Sequence, residues 1–262
     1  MGKLADAELG ALTQFGIRHF IEHYRVNMAE AKIADYTQFK SFNAFFTREL
    51  KSGARTIVRD EKKLISPVDG CISEMGLIEQ DRLLQAKGAY FSLKDLCGGD
   101  DTIAKPFENG AFLTAYLSPR DYHRFHMPMT GRLKKMIYVP GKLFSVNQSS
   151  VKNVPGLFAR NERVICIFET AIGDVALIAV GAMIVGSIAM NWHGIVGPQT
   201  QRSVQTWQYD DQNRVLQQGD EVGHFRLGST VIILCEQNKI KLDGLLKSES
   251  ALQLGNVIAH LN

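Results

Sequence analysis

The chain has 262 residues, which is enough for one large domain or two small ones with a sizeable core. Hydrophobic residues make up 45% of it and charged residues 22%, as in an ordinary globular protein. The net charge of +3 is too weak to indicate nucleic-acid binding, so we expect no nucleic-acid partner, but it suits an anionic membrane surface.

Residues 5–50 are predicted to be helical. One apolar stripe follows helical spacing and consists of Ile17, Phe20, Ile21 and Tyr24. A second helix is predicted over 37–50, with an aromatic face made of Phe39, Phe42, Phe45 and Phe46. Such a face belongs either to a protein core or to an interfacial amphipathic segment that lies on lipid.

From about residue 64 onward, short strand-like runs are separated by Gly, Pro, Asn and Asp; the predicted strands include 64–66, 71–78, 111–118, 132–139, 163–170, 175–190 and 222–235. This pattern is typical of an antiparallel β-sandwich or barrel-like core, so the predicted class is α+β, mainly β. The predicted division is an N-terminal helical segment over 1–55, for which the aromatic face makes membrane association an expectation, and a β-rich domain over 56–262, which contains the candidate catalytic residues described below. The uncharged run 175–192 is predicted to be two buried strands and a bend, with a membrane-spanning helix as the alternative.

The four cysteines stand far apart, at 71, 97, 166 and 235, and form no C-x-x-C pair. We therefore expect no zinc or other metal site. Cys71, Cys166 and Cys235 lie in apolar strand-like runs and are predicted to be reduced core residues. Residues 1–25 carry charges throughout and lack the apolar region of a secretory signal, so a cytoplasmic chain is expected.

The segment "YLSPRDYHRFHMP", 116–128, crowds ionisable residues after a proline that ends a strand. His123 and His126 are three apart and would share a face on a helical turn. Two histidines in one charged loop favour a catalytic function, with a solvated loop of structural histidines as the alternative.

Two further segments could complete a catalytic set. Asp69 and Gly70 in "SPVDG" form either a simple turn or a carboxylate that orients a histidine. In "FRLGSTVIIL", 225–234, Gly228 precedes Ser229 without the G-x-S-x-G pattern of an α/β-hydrolase. Because glycine leaves its carbonyl open to close approach, the Ser229 hydroxyl could attack the preceding peptide.

A long segment, 138–164, lies between two Val-Pro-Gly turns and contains Ser145, Asn147, Lys152 and Asn153. A loop of this length in a β-protein is often functional, so it is a candidate binding loop.

Six segments resemble bacterial phosphatidylserine decarboxylases in their order and spacing. They are "SPVDG", "YLSPRDYHRFHMP", "YVPGKLFSVN", "LFARNERV", "GAMIVGSI" and "FRLGSTVI". The resemblance runs from about residue 12 to 250.

The resemblance implies a proenzyme that cuts itself between Gly228 and Ser229, giving a β-chain 1–228 and an α-chain 229–262. Ser229 would become a pyruvoyl group, the covalent cofactor, with neither metal nor pyridoxal phosphate. The family's self-cleavage triad corresponds to Asp69, His126 and Ser229. His123 matches the histidine of decarboxylation, and Ser145 matches a substrate-contacting serine.

The implied reaction converts phosphatidylserine to phosphatidylethanolamine and CO₂ through a Schiff base with the pyruvoyl group. The implied partners are this lipid, an anionic membrane surface and the chain's own fragments as an α/β heterodimer, with a dimer of heterodimers as a further possibility. The implied place is peripheral, on the cytoplasmic face of the inner membrane. The alternatives are a serine hydrolase that uses Asp69, His126 and Ser229 without self-cleavage, and a non-catalytic β-sandwich lipid-binding or carrier module.

Overall fold

The computed structural model describes residues 5–57, 59–86, 88–182, 188–197, 203–226 and 229–262. Within these residues strands outnumber helices and the sheets are antiparallel, which confirms the predicted α+β, mainly β class.

The N-terminal part is helical but more broken than the sequence pattern predicts. Helix α1 spans Ala11–Tyr24, and helix α2 covers only Phe42–Phe46. Between them lie two 3₁₀ turns, Met28–Glu30 and Tyr36–Gln38. Each short element begins at a polar cap, because the Asn27, Asp35 and Ser41 side chains accept hydrogen bonds from the backbone N–H groups that follow.

Aromatic and aliphatic side chains join these elements in a small core of their own. Its fully buried members are Ile17, Val26, Phe39, Phe45 and Phe46. The structure therefore places most of the Phe-rich face in a protein core and not on lipid.

The rest of the chain is mostly strand. The strands are β1 Lys63–Ile65, β2 Gly70–Leu77, β3 Arg82–Ala86, β4 Ala89–Ser92, β5 Ala111–Leu117, β6 Arg124–His126, β7 Gly131–Val139, β8 Arg163–Thr170, β9 Gly173–Gly181, β10 Ile188–Met190, β11 Gly194–Val196, β12 Gln205–Gln208, β13 Val215–Leu216, β14 Glu221–Phe225, β15 Ser229–Cys235, β16 Ile240–Leu242, β17 Ala251–Leu252 and β18 Val257–Leu261. Four short helices lie between them: α3 Leu93–Leu96, α4 Asp101–Ala104, α5 Gln148–Asn153 and α6 Leu157–Arg160. Two further 3₁₀ turns cover Lys105–Phe107 and Asp210–Gln212.

A nine-stranded sheet is the centre of the fold. Its order is β12-β7-β8-β9-β15-β5-β2-β17, with β13 paired to β7. A four-stranded sheet, β11-β10-β14-β6, a three-stranded sheet, β1-β18-β16, and the hairpin β3-β4 complete the structure. Strand β15 runs through the middle of the large sheet, paired with β5 on one side and β9 on the other.

The two faces of the large sheet are covered differently. Along β15, Val231 and Ile233 face the core shared with the two smaller sheets, whereas Ile232 and Leu234 face the hairpin and helices α3 to α6. Period-two alternation therefore puts the Ser229 side chain on the face toward the four-stranded sheet.

The apolar run 175–192 forms strands in its described parts, β9 and β10, as predicted. Its predicted bend falls on 183–187, outside the described residues. None of the helices in the described ranges is long and apolar enough to cross a membrane. All four cysteines are free; three are buried and Cys71 is half-buried.

Candidate active site

The sheet connections bring Ser229 and His123 together. Strand β5 ends at Leu117, which pairs with Ser229 across the large sheet. The chain then turns and enters β6 in the smaller sheet, with His123 just before that strand. Strand β14 ends beside it, because the Phe225 N–H donates to the His123 carbonyl at 2.9 Å. Since only three residues separate Phe225 from Ser229, the crossing from one sheet to the other places this serine at His123.

These two residues are joined by a hydrogen bond between His123 Nδ1 and Ser229 Oγ, at 2.9 Å. Both residues are buried, with 1% and 0% of their surfaces exposed. The Phe46 ring stacks on the imidazole with the ring centroids 4.0 Å apart. His123 Nε2 is buried without a hydrogen-bond partner in the described part of the chain.

Burial lowers the pKa of His123 to about 3, and the nearby positive charge of Arg48 acts in the same direction. His123 is therefore a neutral imidazole at physiological pH. A neutral imidazole with an unprotonated Nδ1 can accept the Ser229 hydroxyl proton.

His126 lies within 3.2 Å of a different set of groups. Its Nδ1 lies 2.9 Å from the Gly219 carbonyl oxygen, so Nδ1 carries the proton. Its Nε2 therefore accepts a hydrogen bond from the Tyr122 hydroxyl at 3.2 Å. Burial lowers the pKa of His126 as well. Because residues 124–126 form a strand and not a helical turn, the two histidine side chains do not share the face that a helical turn would have given them, and they meet different partners.

Asp69 is held by an arginine. Arg55 Nε donates to Asp69 Oδ1 at 2.9 Å and to Oδ2 at 3.1 Å, and Arg55 Nη2 also binds Oδ2. The Leu254 N–H donates to Asp69 Oδ1 at 2.9 Å. The described residues show no hydrogen bond from Asp69 to His126, although the Asp69 charge acts weakly to raise the pKa of that histidine.

Gly70 explains the turn character of "SPVDG". A Cβ at this position would lie 2.1 Å from the Tyr116 carbonyl oxygen, so no other residue fits where β2 begins against β5. The glycine therefore serves the fold.

The candidate binding loop is clamped beside the Ser229 strand. Asn161 Nδ2 donates to the carbonyl oxygens of Phe144 and Gly181, both at 2.9 Å, and Asn161 Oδ1 accepts from the Phe144 N–H at 2.9 Å. Gly181 pairs directly with Ser229 in the sheet. Ser145 follows Phe144 and is half-buried, and its Oγ accepts a hydrogen bond from the Asn147 N–H at 3.4 Å.

The structure thus brings Ser229 and His123 into contact and places His126 and Asp69 in adjoining hydrogen-bond networks. Gly228 lies outside the described residues. Three contacting residues were not singled out from the sequence, namely Tyr122, Arg55 and Phe46. Tyr122 belongs to the run of ionisable residues 120–126 and Phe46 to the predicted aromatic face, but no sequence pattern around Arg55 indicated a role in the site. Within the described ranges, no group of three or more His, Cys, Asp or Glu side chains is arranged to hold a metal ion.

Comparison with known proteins identifies the family. The family described as phosphatidylserine decarboxylase matches residues 42–260. The chain belongs to the phosphatidylserine decarboxylase family. The predicted family, and with it a decarboxylase enzyme, is thereby confirmed.

Several curated proteins resemble the chain over nearly its full length, and they are named phosphatidylserine decarboxylase proenzyme. The one from Marinobacter nauticus is 52% identical, over 100% of this chain and 92% of its own length. The one from Psychromonas ingrahamii is 51% identical, over 99% and 91%. The one from Vibrio campbellii is 51% identical, over 99% and 92%.

Proposed function

We propose that this chain converts phosphatidylserine to phosphatidylethanolamine and CO₂ with a pyruvoyl group made from its own Ser229. The observation that carries the proposal is the buried hydrogen bond between Ser229 Oγ and His123 Nδ1. The naming of its relatives as proenzymes supports maturation by cleavage, which we place between Gly228 and Ser229. The products are fragments 1–228 and 229–262, held together as a heterodimer.

The residues of the site fit a pyruvoyl group. A serine stands at the first position of a central strand, fully buried and next to a neutral imidazole. Pairing of this strand with β5 and β9 would keep the new terminus in place after the chain is cut. When present, a pyruvoyl group supplies a ketone that takes up the substrate's primary amine and the electrons released with CO₂.

Self-cleavage requires a base for the Ser229 hydroxyl. Attack of Ser229 Oγ on the Gly228 carbonyl turns the amide into an ester, loss of the Ser229 α-proton then breaks the ester, and hydrolysis of the resulting enamine releases ammonia. By family likeness we assign the base to His126 and its orientation to Asp69. In support, both are buried and the pKa of His126 is lowered, so a neutral imidazole is available. To act in these roles, His126 must exchange the hydrogen bond of Nε2 with Tyr122 for one with Ser229, and that of Nδ1 with Gly219 for one with Asp69.

A second arrangement is favoured by geometry, because His123 already contacts Ser229 Oγ in the uncut chain. His123 would then serve as the base in both stages. We assign the base for self-cleavage to His126, and the cleavage of the His123→Ala and His126→Ala variants distinguishes this assignment from one to His123.

In decarboxylation, we assign proton transfer to His123. A substrate ammonium must lose a proton before its nitrogen can attack a ketone, and neutral His123 Nδ1 can accept that proton. The same nitrogen can then return a proton to the carbon that has lost CO₂. Because decarboxylation consumes one proton overall, the product amine takes up one further proton from solvent and leaves as an ammonium. The buried site excludes water and favours loss of a charged carboxylate as neutral CO₂.

Substrate binding is assigned to the loop around Ser145, whose half-buried position and clamp beside Gly181 support the role. Membrane contact is assigned to segment 1–55, with 56–262 as the catalytic part. Leu9, Leu12 and Phe15 support this, because they are 46%, 65% and 70% exposed on the N-terminal helical part. An apolar surface of this kind suits peripheral binding to anionic lipid on the cytoplasmic face of the inner membrane.

The test is the intact mass of the purified protein and of its variants. We expect the wild type to yield a small fragment 229–262, lighter than a serine-started peptide by one ammonia and reactive toward carbonyl reagents. His123→Ala should cleave but decarboxylate poorly, and His126→Ala should remain a single chain. Loss of cleavage in His123→Ala with cleavage retained in His126→Ala would assign the base to His123. An active wild type that remains one unbroken 29.2 kDa chain would instead refute self-processing and leave the serine hydrolase as the alternative to test.

A further inference from the structure

Three consecutive residues of the N-terminal helical part touch the loop that carries His123. The Phe46 ring stacks on the His123 imidazole at 4.0 Å between centroids. The Thr47 carbonyl accepts hydrogen bonds from Arg124 Nε at 2.9 Å and Nη2 at 2.8 Å. Arg48 Nη2 donates to the backbone carbonyl oxygens of Arg120 at 3.0 Å and Asp121 at 3.2 Å. The contacts therefore lie on both sides of His123 along the chain and on its ring.

Burying the charged Arg48 side chain in this position is energetically unfavourable. Its side chain is 5% exposed, it forms no ion pair with any described residue, and its Nη1 has no hydrogen-bond partner among them. Burial lowers the pKa of Arg48 to about 10, so the guanidinium is still charged at neutral pH. A buried charge without a carboxylate partner does not stabilise the fold, so stability does not explain why an arginine stands here. The rigid guanidinium, however, is well suited to holding two backbone carbonyls.

We propose that Phe46 and Arg48 are positioning residues for His123, so that the N-terminal helical part completes the active site in addition to any contact with the membrane. The proposal rests on the proposed function of His123. Phe46 fixes the plane of the imidazole and Arg48 fixes the backbone just before it. Together they hold Nδ1 at the position of Ser229 Oγ, where small misplacements cost large factors in rate.

The test compares two buried phenylalanines of the same cluster. Phe46→Leu removes the ring that contacts His123 but keeps an apolar side chain of similar size. Phe39→Leu makes the same change at a residue whose recorded ring contact is with Phe45 and not with His123. Both variants should fold, as checked by thermal denaturation and by intact mass for self-cleavage. The kinetic constants are measured with short-chain phosphatidylserine in detergent micelles, and lipid binding by co-sedimentation with anionic vesicles.

We expect Phe46→Leu to lower kcat at least tenfold with KM and vesicle binding unchanged, and Phe39→Leu to stay within twofold of the wild type. Equal kcat in the two variants would overturn the proposal, since the cluster would then act only on stability. A wild type that forms no pyruvoyl group would overturn the proposed function instead, and the mass measurement reports that separately.

The Arg48→Met variant provides a second test through the kcat–pH profile, whose position a purely structural role of Arg48 would leave unchanged. Arg48 is the charged side chain that acts on the His123 imidazole, which otherwise faces the Ser229 hydroxyl and the backbone of Ser118 and Pro119. Removing the positive charge should move the acid limb of the kcat–pH profile to higher pH, together with a fall in kcat. An unchanged profile would contradict a role of Arg48 at His123.

Discussion

Acidification provides a direct test of the buried, neutral state of His123. The perturbation is a change from pH 7 to pH 5, applied to the wild type and to His123→Asn. In the folded chain burial lowers the pKa of His123 to about 3, whereas an unfolded chain has the ordinary value of 6.5. Between these two values the unfolded state binds more protons, so the free energy of unfolding falls as the pH falls below about 6.5.

The magnitude follows from the two pKa values. At pH 5 the unfolded chain is protonated at His123 and the folded chain is not, and the difference from pH 7 corresponds to about 2 kcal/mol of lost stability. With a urea slope of about 3 kcal/mol/M, the unfolding midpoint should fall by about 0.7 M because of this residue alone. His126 and His224 add to the fall in both proteins, because burial lowers their pKa values too.

The assay is urea unfolding followed by the fluorescence of Trp192 and Trp207, which are partly buried against the main core. The midpoint should fall less in His123→Asn than in the wild type, by the 0.7 M attributed to His123. Equal falls in the two proteins would refute the reasoning, since His123 would then be solvated or already charged in the folded state.

Three other substitutions test the surroundings of the site. Arg55→Met should lower the free energy of unfolding by about 3–5 kcal/mol, because it leaves the buried Asp69 carboxylate without its ion pair; thermal denaturation should show little further loss in the double variant with Asp69→Asn. Asn161→Ala should raise KM for phosphatidylserine by several-fold and cost about 1–3 kcal/mol, since it frees the Phe144 backbone and leaves carbonyls unpaired; an unchanged KM would separate this loop from substrate binding. Burial raises the pKa of Glu162 to about 7, so the contribution of this residue to the free energy of unfolding should fall as the pH rises from about 4.5 to 7, opposite to the histidines; the stability of Glu162→Gln should therefore rise more steeply with pH than that of the wild type over this range.

The strands of the large sheet were readable from local pattern. Segments such as 111–118, 132–139 and 163–170 carry β-branched and apolar residues between turn residues, and each forms a strand within one residue of its predicted ends. The short strands near the C-terminus were missed, because two- and three-residue strands such as β16 and β17 contain too few residues to show a period.

The helical part shows where periodicity misleads. Phe39, Phe42, Phe45 and Phe46 have helical spacing, yet only 42–46 is an α-helix. These aromatic side chains come from a loop and a short helix that both pack against α1, and together with α1 they form a small core. Hydrophobic spacing indicates that a face will be buried but not what buries it.

The sequence by itself determined the class of fold, the family and the residue types that chemistry needs: a serine after a glycine, two histidines and a carboxylate. Only the tertiary structure decided which of them touch. His123 meets Ser229 because β14 ends beside it and only three residues separate Phe225 from Ser229 along the chain. Asp69, just before β2, meets Arg55 of the N-terminal segment. The His123–Ser229 contact joins residues 106 positions apart, and local propensity and spacing carry no information about which residues so far apart in sequence meet.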